Sequence, residues 1–247
     1  MVLYPRMHRF FVTIPLKEGP LLIPDSAIAH QVRHVLRMKP GNKIVLFGGR
    51  VARDGGWDFL FRIDSLKDQA LEGEVIAKAR NDRESRVTLT LYQATLKKDN
   101  MEWIFAKGTE VGIARFAPVL AERSVKTRVQ YERAVKIVKE AAEQSGRAFF
   151  PDVLPIVPFA EAVKRAKKEG ALNILAHERE HRKRMDALPL TSMHINLFIG
   201  PEGGFSPAEV AEAEAAGFFI TSLSKRVLRA ETAAIVGSYA VLHRFGN

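Results

Sequence analysis

The stretch from Asn196 to Thr232 constrains the fold of this chain more than any other. An apolar run, Asn196-Leu-Phe-Ile-Gly200, enters a loop, Pro201-Glu-Gly-Gly-Phe-Ser206. A helix-like stretch over Pro207–Ala216 follows, and then a second apolar run, Phe218–Leu223. A second loop, Ser224-Lys-Arg-Val-Leu-Arg-Ala-Glu-Thr232, leads into a final helical pattern. Strand, loop and helix repeated in that order suit ligand-binding loops at the carboxyl edge of a parallel sheet. Gly200, Gly203 and Gly204 would let backbone approach a ligand, because glycine lacks the obstructing Cβ. Ser206-Pro207 reads as an N-cap followed by proline at the first helical position. By itself the glycine loop is equally compatible with an ordinary tight turn. It lacks the Gly-Lys-Ser/Thr ending of a phosphate loop and the spacing of a dinucleotide fingerprint.

The same alternation extends upstream to Val87. Val87–Leu96 reads as a strand, Asp99–Val111 as a helix and Ala114–Leu120 as a further strand. Val129–Arg147 predicts a long helix with Ala134, Val138 and Ala141 on one stripe. Phe159, Ala162, Val163 and Ala166 predict another, its lysines and Arg165 exposed, before a buried strand at Ala171–Ala176. This is an α/β domain with a mainly parallel sheet. The charged segment Glu178–Met185 reads as a surface loop or short helix.

Before Val87 the pattern differs. Asp25 would cap a helix to about Leu36 with Ile28, Val32 and Val35 on one face. His30, Arg33, His34 and Arg37 fall on its other faces. Two histidines four apart can ligate a metal, but no third ligand accompanies them, so the surface reads as solvated or RNA-facing. Strands are predicted at Lys43–Phe47, at Trp57–Ile63 and at Leu71–Ala79. Within the second, Trp57, Phe59, Phe61 and Ile63 alternate as in a half-buried strand. Asp54-Gly-Gly56 marks a hairpin turn. Short strands with one helix make a small β-barrel over residues 1–77. Lys78–Arg86 is the linker, and residues 78–247 form the α/β domain.

The chain's formal net charge of +10 narrows the partners. Residues 1–80 hold 13 Lys and Arg against 8 Asp and Glu, a net of +5, so half the excess lies in each part. A polyanion such as RNA gains affinity from such a surface through counterion release, although solubility alone also uses charge. Zero cysteines excludes disulfides and thiolate metal sites. The apolar runs are too short to cross a membrane, and Met1–Arg6 lacks a signal-peptide core, which makes the cytoplasm the default. In Arg9-Phe-Phe11 the arginine can meet a phosphate, and the rings can either stack on bases or join a core.

Ile199-Gly-Pro-Glu-Gly-Gly-Phe-Ser206, followed by Leu223-Ser-Lys-Arg-Val-Leu-Arg-Ala-Glu-Thr-Ala233, closely resembles the SPOUT methyltransferases. The nearest resemblance is to the RsmE-like family, which methylates N3 of a uridine in 16S ribosomal RNA. Lys107-Gly-Thr-Glu-Val-Gly112, Glu122-Arg-Ser124, Glu140-Ala-Ala-Glu-Gln-Ser-Gly-Arg147 and the early Arg9-Phe-Phe11 are similar to further stretches of that family.

The resemblance implies a carboxyl-terminal SPOUT domain with a deep trefoil knot, an amino-terminal PUA-like RNA-binding barrel and a homodimer. It implies S-adenosylmethionine held by Ala176, His177, Ile199, Gly200, Glu202, Gly203, Gly204, Leu223, Ser224 and Leu228. Arg9, Arg229 and Glu231 are then the catalytic candidates, and Arg9, Arg123 and Arg147 the RNA contacts. Arg229 would stabilise a uridine oxyanion or a phosphate. Glu231 is either a base or a carboxylate favoured by the start of the last helix. Glu140 and Glu143 would pair within the helix or between subunits, and Ile235, Tyr239 and Leu242 read as core or dimer contacts. No metal is required. The alternatives are a SPOUT enzyme acting on tRNA or 23S rRNA, and a non-catalytic RNA-binding or ribosome assembly factor.

Overall fold

A computed structural model describes residues 7–48, 56–125, 128–178, 188 and 192–246. The expected hairpin tip at Asp54-Gly55, the first six residues and Arg179–Met185 lie outside the described residues. The chain divides into two compact units. The first comprises residues 1–84 with 142–150, and the second comprises 85–141 with 151–247.

The first unit holds a five-stranded sheet made of β1 (Arg9–Phe11), β2 (Gly19–Ile23), β3 (Lys43–Phe47), β4 (Gly56–Leu66) and β5 (Leu71–Asn81), in the order β1-β3-β4-β5-β2. Among the described residues of this sheet, β1 pairs parallel with β3 and the other pairings are antiparallel. Helix α1 (Ser26–His30) starts where the Asp25 carboxylate accepts from the Ala27 and Ile28 amides, as expected of an N-cap. It then widens into one π-helical turn over Gln31–Val35, closed by Leu36 N–H donating to Gln31 C=O at 2.9 Å. The extra residue in that turn rotates the residues after it about the helix axis. Ile28 and Val32 are buried as expected, but Val35 is 64% exposed and Leu36 packs on the core in its place.

Strand β4 departs from simple alternation for a similar reason. A bulge between Leu60 and Phe61 reverses its phase. Phe61 and Ile63 are buried as predicted, whereas Trp57 is exposed and Asp58 and Leu60 turn inward. Strand β5 runs to Asn81, so the expected boundary after residue 77 falls inside a strand. Lys78 and Arg80 occupy its outward positions while Ala79 and Asn81 face inward, which gave a paired strand the composition of a linker.

The second unit is built on β6 (Thr88–Ala94), β7 (Arg115–Leu120), β8 (Asp152–Val153), β9 (Val157–Pro158), β10 (Leu172–Ala176), β11 (His194–Ile199) and β12 (Phe219–Thr221). The order is β12-β10-β11-β6-β7-β8, with β9 also on β7, and every described pairing is parallel. The expectation of an α/β unit on a mainly parallel sheet therefore holds. Central strand β6 is buried on both faces beyond Thr88, as parallel strands covered by helices are. Tyr92 stacks on its cross-strand partner Phe198 with ring centroids 4.3 Å apart.

Among the described residues, helices α2 (Lys98–Val111), α4 (Phe159–Lys168), α5 (Pro207–Ala215) and α6 (Ala230–Phe245) belong to the second unit, as does α3 (Tyr131–Ser145) as far as Ala141. The stripe Phe159, Ala162, Val163 and Ala166 is buried against Tyr92 and Phe198. Helix α6 packs against α2 and, through Gly237, on Leu197 of β11. Within the family-like stretch Lys107–Gly112, the glycines serve packing. A Cβ on Gly108 would stand 2.7 Å from both Ile113 and Phe116, and Gly112 ends α2 at φ 114°.

Candidate functional site

Three adjacent strands of the second unit, β12, β10 and β11, deliver their loops to one edge. Because β11 inserts between β10 and β6 before the chain returns to the far side of β10, these loops converge rather than fan out. Ala176 ends β10 and His177 follows it, its amide donating to Thr221 C=O at 2.9 Å. The three loops enclose a cleft of about 860 Å³. All ten residues expected to hold a cofactor line it, as do Arg123, Arg229 and Glu231. Arg226 and Val227, within the second of the predicted loops, line it as well, as do Lys97 and Asn100, of which sequence patterning gave no sign.

The glycine loop is a tight turn, with Gly204 N–H donating to Pro201 C=O at 2.9 Å and Gly204 at φ +67°. A Cβ on Gly200 would lie 3.1 Å from the Phe205 nitrogen and 3.2 Å from the Gly204 carbonyl carbon. A side chain at Gly200 would thus crowd the loop's own backbone. A Cβ on Gly203 would lie 3.4 Å from Arg123 Cδ, an ordinary contact. Sequence reasoning treats these glycines alike, and the structure separates them.

Ser206 caps α5 as expected, and its box is completed by Glu209: Ser206 Oγ accepts from the Glu209 amide at 3.3 Å, and Glu209 Oε2 accepts from the Ser206 amide at 2.8 Å. The Ser-x-x-Glu spacing of Ser206–Glu209 was a legible signal for this residue. On the opposite side of the cleft, Ser222 Oγ donates to Ser224 C=O at 2.8 Å, and Ser224 Oγ accepts from the Arg226 amide at 3.1 Å. Helix α6 begins at Ala230 with Arg229 as an N-cap that lends no side-chain bond, and Arg229, Ala230 and Glu231 are in the lining of the cleft. Glu231 stands in that first turn, where a carboxylate complements the helix dipole.

Arg9 and Arg147, expected as RNA contacts, are buried and paired within the first unit. Arg9 Nη1 and Nη2 donate to the two Asp58 oxygens at 2.5 and 2.8 Å, and Nη2 also donates to Arg147 C=O at 2.9 Å. Arg147 Nε donates to both oxygens of Glu84 at 2.9 and 3.0 Å. Asn81 Nδ2 joins the pairs, donating to Asp58 at 3.0 Å and to Gly146 C=O at 3.1 Å. The two guanidinium side chains are only 7% and 6% exposed. Meeting a phosphate would require breaking a buried, hydrogen-bonded ion pair, which is strongly unfavourable. Phe10 is core, and Phe11 packs on Phe47 and Phe150, so neither is presented as a stacking platform.

Arg123 is exposed, yet its Nη1 donates to Gly203 C=O at 2.8 Å. Glu143 accepts from the Phe11 amide at 3.0 Å, while Glu140 lies 3.9 Å from Lys136 within α3. The His30 and His34 rings lie 4.9 Å apart at a tilt of 37°, and among the described residues no group of three His, Cys, Asp or Glu side chains is arranged to hold a metal.

Residues 83–242 match the family model of an RNA methyltransferase domain. The ribosomal RNA small subunit methyltransferase E of Bacillus subtilis is 28% identical, over 96% of this chain and 97% of its own. A solved structure of the ribosomal RNA small subunit methyltransferase E from Neisseria gonorrhoeae, bound to S-adenosyl methionine, is 31% identical with a TM-score of 0.87, covering 98% of this chain and 99% of that one. A putative methyltransferase from Legionella pneumophila, solved with its bound cofactor SAM, also superposes with a TM-score of 0.87 at 28% identity, with the same coverage.

Proposed function

Since the chain belongs to this RNA methyltransferase family, we propose that it methylates N3 of a uridine in 16S ribosomal RNA, with S-adenosylmethionine as donor. The observation that carries the reading is the cleft at the ends of β10, β11 and β12. Its volume of about 860 Å³ suits a nucleoside-sized ligand, and Gly200, Gly203 and Gly204 lie in its lining beside charged side chains such as Arg123, Glu202 and Arg229. Two relatives of the same fold over nearly their whole length were solved with this cofactor. The unit carrying the cleft would be a SPOUT domain with a trefoil knot, and the first unit a PUA-like RNA-binding barrel. We take the active form to be a cytoplasmic homodimer. Among the described residues no helix is long and apolar enough to cross a membrane.

The cofactor, when bound, supplies an electrophilic methyl group. The backbone of Ala176–His177, Ile199–Gly204 and Leu223–Leu228 would hold its adenosine and methionine portions. Uridine N3 carries a proton at neutral pH, and with a pKa a couple of units above 7 its removal costs on the order of 3 kcal/mol. Arg229, exposed at the cleft, provides the positive charge that favours the deprotonated base. Pairing hides N3 in a duplex, so the target must be unpaired or flipped.

The test is transfer of labelled methyl groups to ribosomal RNA and to small subunits from a strain lacking this gene, followed by mass spectrometry of the nucleosides. The expected product is N3-methyluridine in 16S rRNA. Label only in tRNA or 23S rRNA would redirect the substrate, and RNA binding without transfer would mark an assembly factor. In the same assay Glu231→Gln separates two roles. A base loses at least about 100-fold in kcat. A carboxylate serving the helix end loses less than tenfold, with a lowered melting temperature.

A further inference from the structure

We propose that Glu209 and Arg123 are positioning residues that hold the glycine loop of the cleft in its cofactor-binding shape. The assignment rests on the S-adenosylmethionine reading above.

Glu209 is only 8% exposed, and each carboxylate oxygen has a different backbone partner. Oε2 accepts from the Ser206 amide, as the capping box at the head of α5 requires. Oε1 accepts from the Glu122 amide at 2.8 Å, and Glu122 belongs to the turn that follows β7. A capping box needs only the first of these bonds. The second joins the turn after β7 to the head of α5, between residues 87 positions apart in the chain. Ionised oxygens that accept from amides in a buried place make strong bonds, so the junction is stiff.

Arg123 completes the grip from the same turn. That turn is closed by Ser124, whose amide donates to Ala121 C=O at 3.0 Å while its hydroxyl accepts from the Ala121 amide at 3.2 Å. From it, the Arg123 guanidinium reaches Gly203 C=O, and its Cδ and Cβ lie 3.4 and 3.5 Å from where a Cβ on Gly203 would be. The glycine loop is therefore held at Gly203 and at Ser206, on either side of Gly204 and Phe205. A loop with three glycines loses much conformational freedom when it is ordered. A loop already held binds at its intrinsic affinity, whereas one that adopts the right shape a tenth of the time binds tenfold more weakly.

Binding of S-adenosylhomocysteine by calorimetry, RNA binding by fluorescence anisotropy and thermal unfolding are measured on the full chain and its variants. Arg123→Ala is expected to raise the S-adenosylhomocysteine Kd about tenfold with RNA affinity within twofold, and Arg123→Lys to recover part of the loss. Glu209→Gln places an NH₂ group against an amide that needs an acceptor, and is expected to raise the same Kd. RNA affinity falling while the cofactor Kd stays within twofold in Arg123→Ala would make Arg123 a phosphate contact and overturn its assignment. A lower melting temperature for Glu209→Gln with an unchanged cofactor Kd would overturn the role of Glu209. Should Glu209→Gln fail to fold, the Arg123 variants decide alone. A native protein that bound no S-adenosylhomocysteine would overturn the proposed function itself, and this assignment with it.

Discussion

Gly200 and Gly203 sit in one loop and differ in what surrounds them. At Gly200 an added methyl group meets backbone at 3.1 and 3.2 Å, and backbone can yield only by changing the turn. At Gly203 it meets the side chain of Arg123 at 3.4 Å. Gly200→Ala is therefore expected to destabilise the fold by about 1–3 kcal/mol, as overpacking does, and to raise the S-adenosylhomocysteine Kd at least tenfold. Gly203→Ala should change both little, with a Kd within about threefold of the native value. Chemical denaturation and calorimetry on the pair check this. Comparable losses in both would mean that the ligand, and not the loop, sets the demand for glycine.

At the scale of single elements, much was legible because periodicity reports burial directly. The stripe of α4 and the capped start of α1 both came from patterns confined to one segment. What escaped depended on a partner distant in sequence. The phase of β4 reverses at a bulge defined by its pairing with β5, and the resulting inward turn of Asp58 is what gives Arg9 a counter-ion. Arg9 and the Arg147 carbonyl are 138 positions apart, so nothing in either neighbourhood announced their bond. The cleft fared better, since its ten expected residues lie in three contiguous loops, while Glu209 was readable from its spacing and Lys97 was not. The β4 finding carries its own prediction. Asp58→Ala would leave the buried Arg9 guanidinium without its countercharge, and unfolding by urea should show a loss on the order of 3–5 kcal/mol. A loss below about 1 kcal/mol would mean that Arg9 finds water or another acceptor.

For the whole molecule, the proposed dimer has a candidate face on the second unit. Val236 and Tyr239 on α6 are 45% and 57% exposed, and Trp103 on the adjacent α2 is 44% exposed, an unusual set of large apolar side chains for open water. Of Leu242 and Tyr239, both expected as core or dimer contacts, Leu242 is core and Tyr239 is exposed. Val236→Glu with Tyr239→Glu should convert a dimer into a folded monomer by light scattering, with methyl transfer lost if the site needs both subunits. A wild-type monomer would remove the premise, and a dimer surviving in the variant would move the interface elsewhere.

The first unit is not finished where its strands end, because residues 142–150 belong to it, bound in by Glu84, Asn81 and Arg9. Synthesis proceeds from the amino terminus at about 5–20 residues per second, so its last piece follows Glu84 by roughly 3–13 s. During that interval the ribosome has also released the opening strands of the other unit. The nascent five-stranded sheet must wait with Arg9 and Asp58 paired but uncovered, and a chain cut after Glu84 would never pass that stage. The two units are thus interlocked in time of manufacture, and neither can be inherited, excised or exchanged as a simple length of gene.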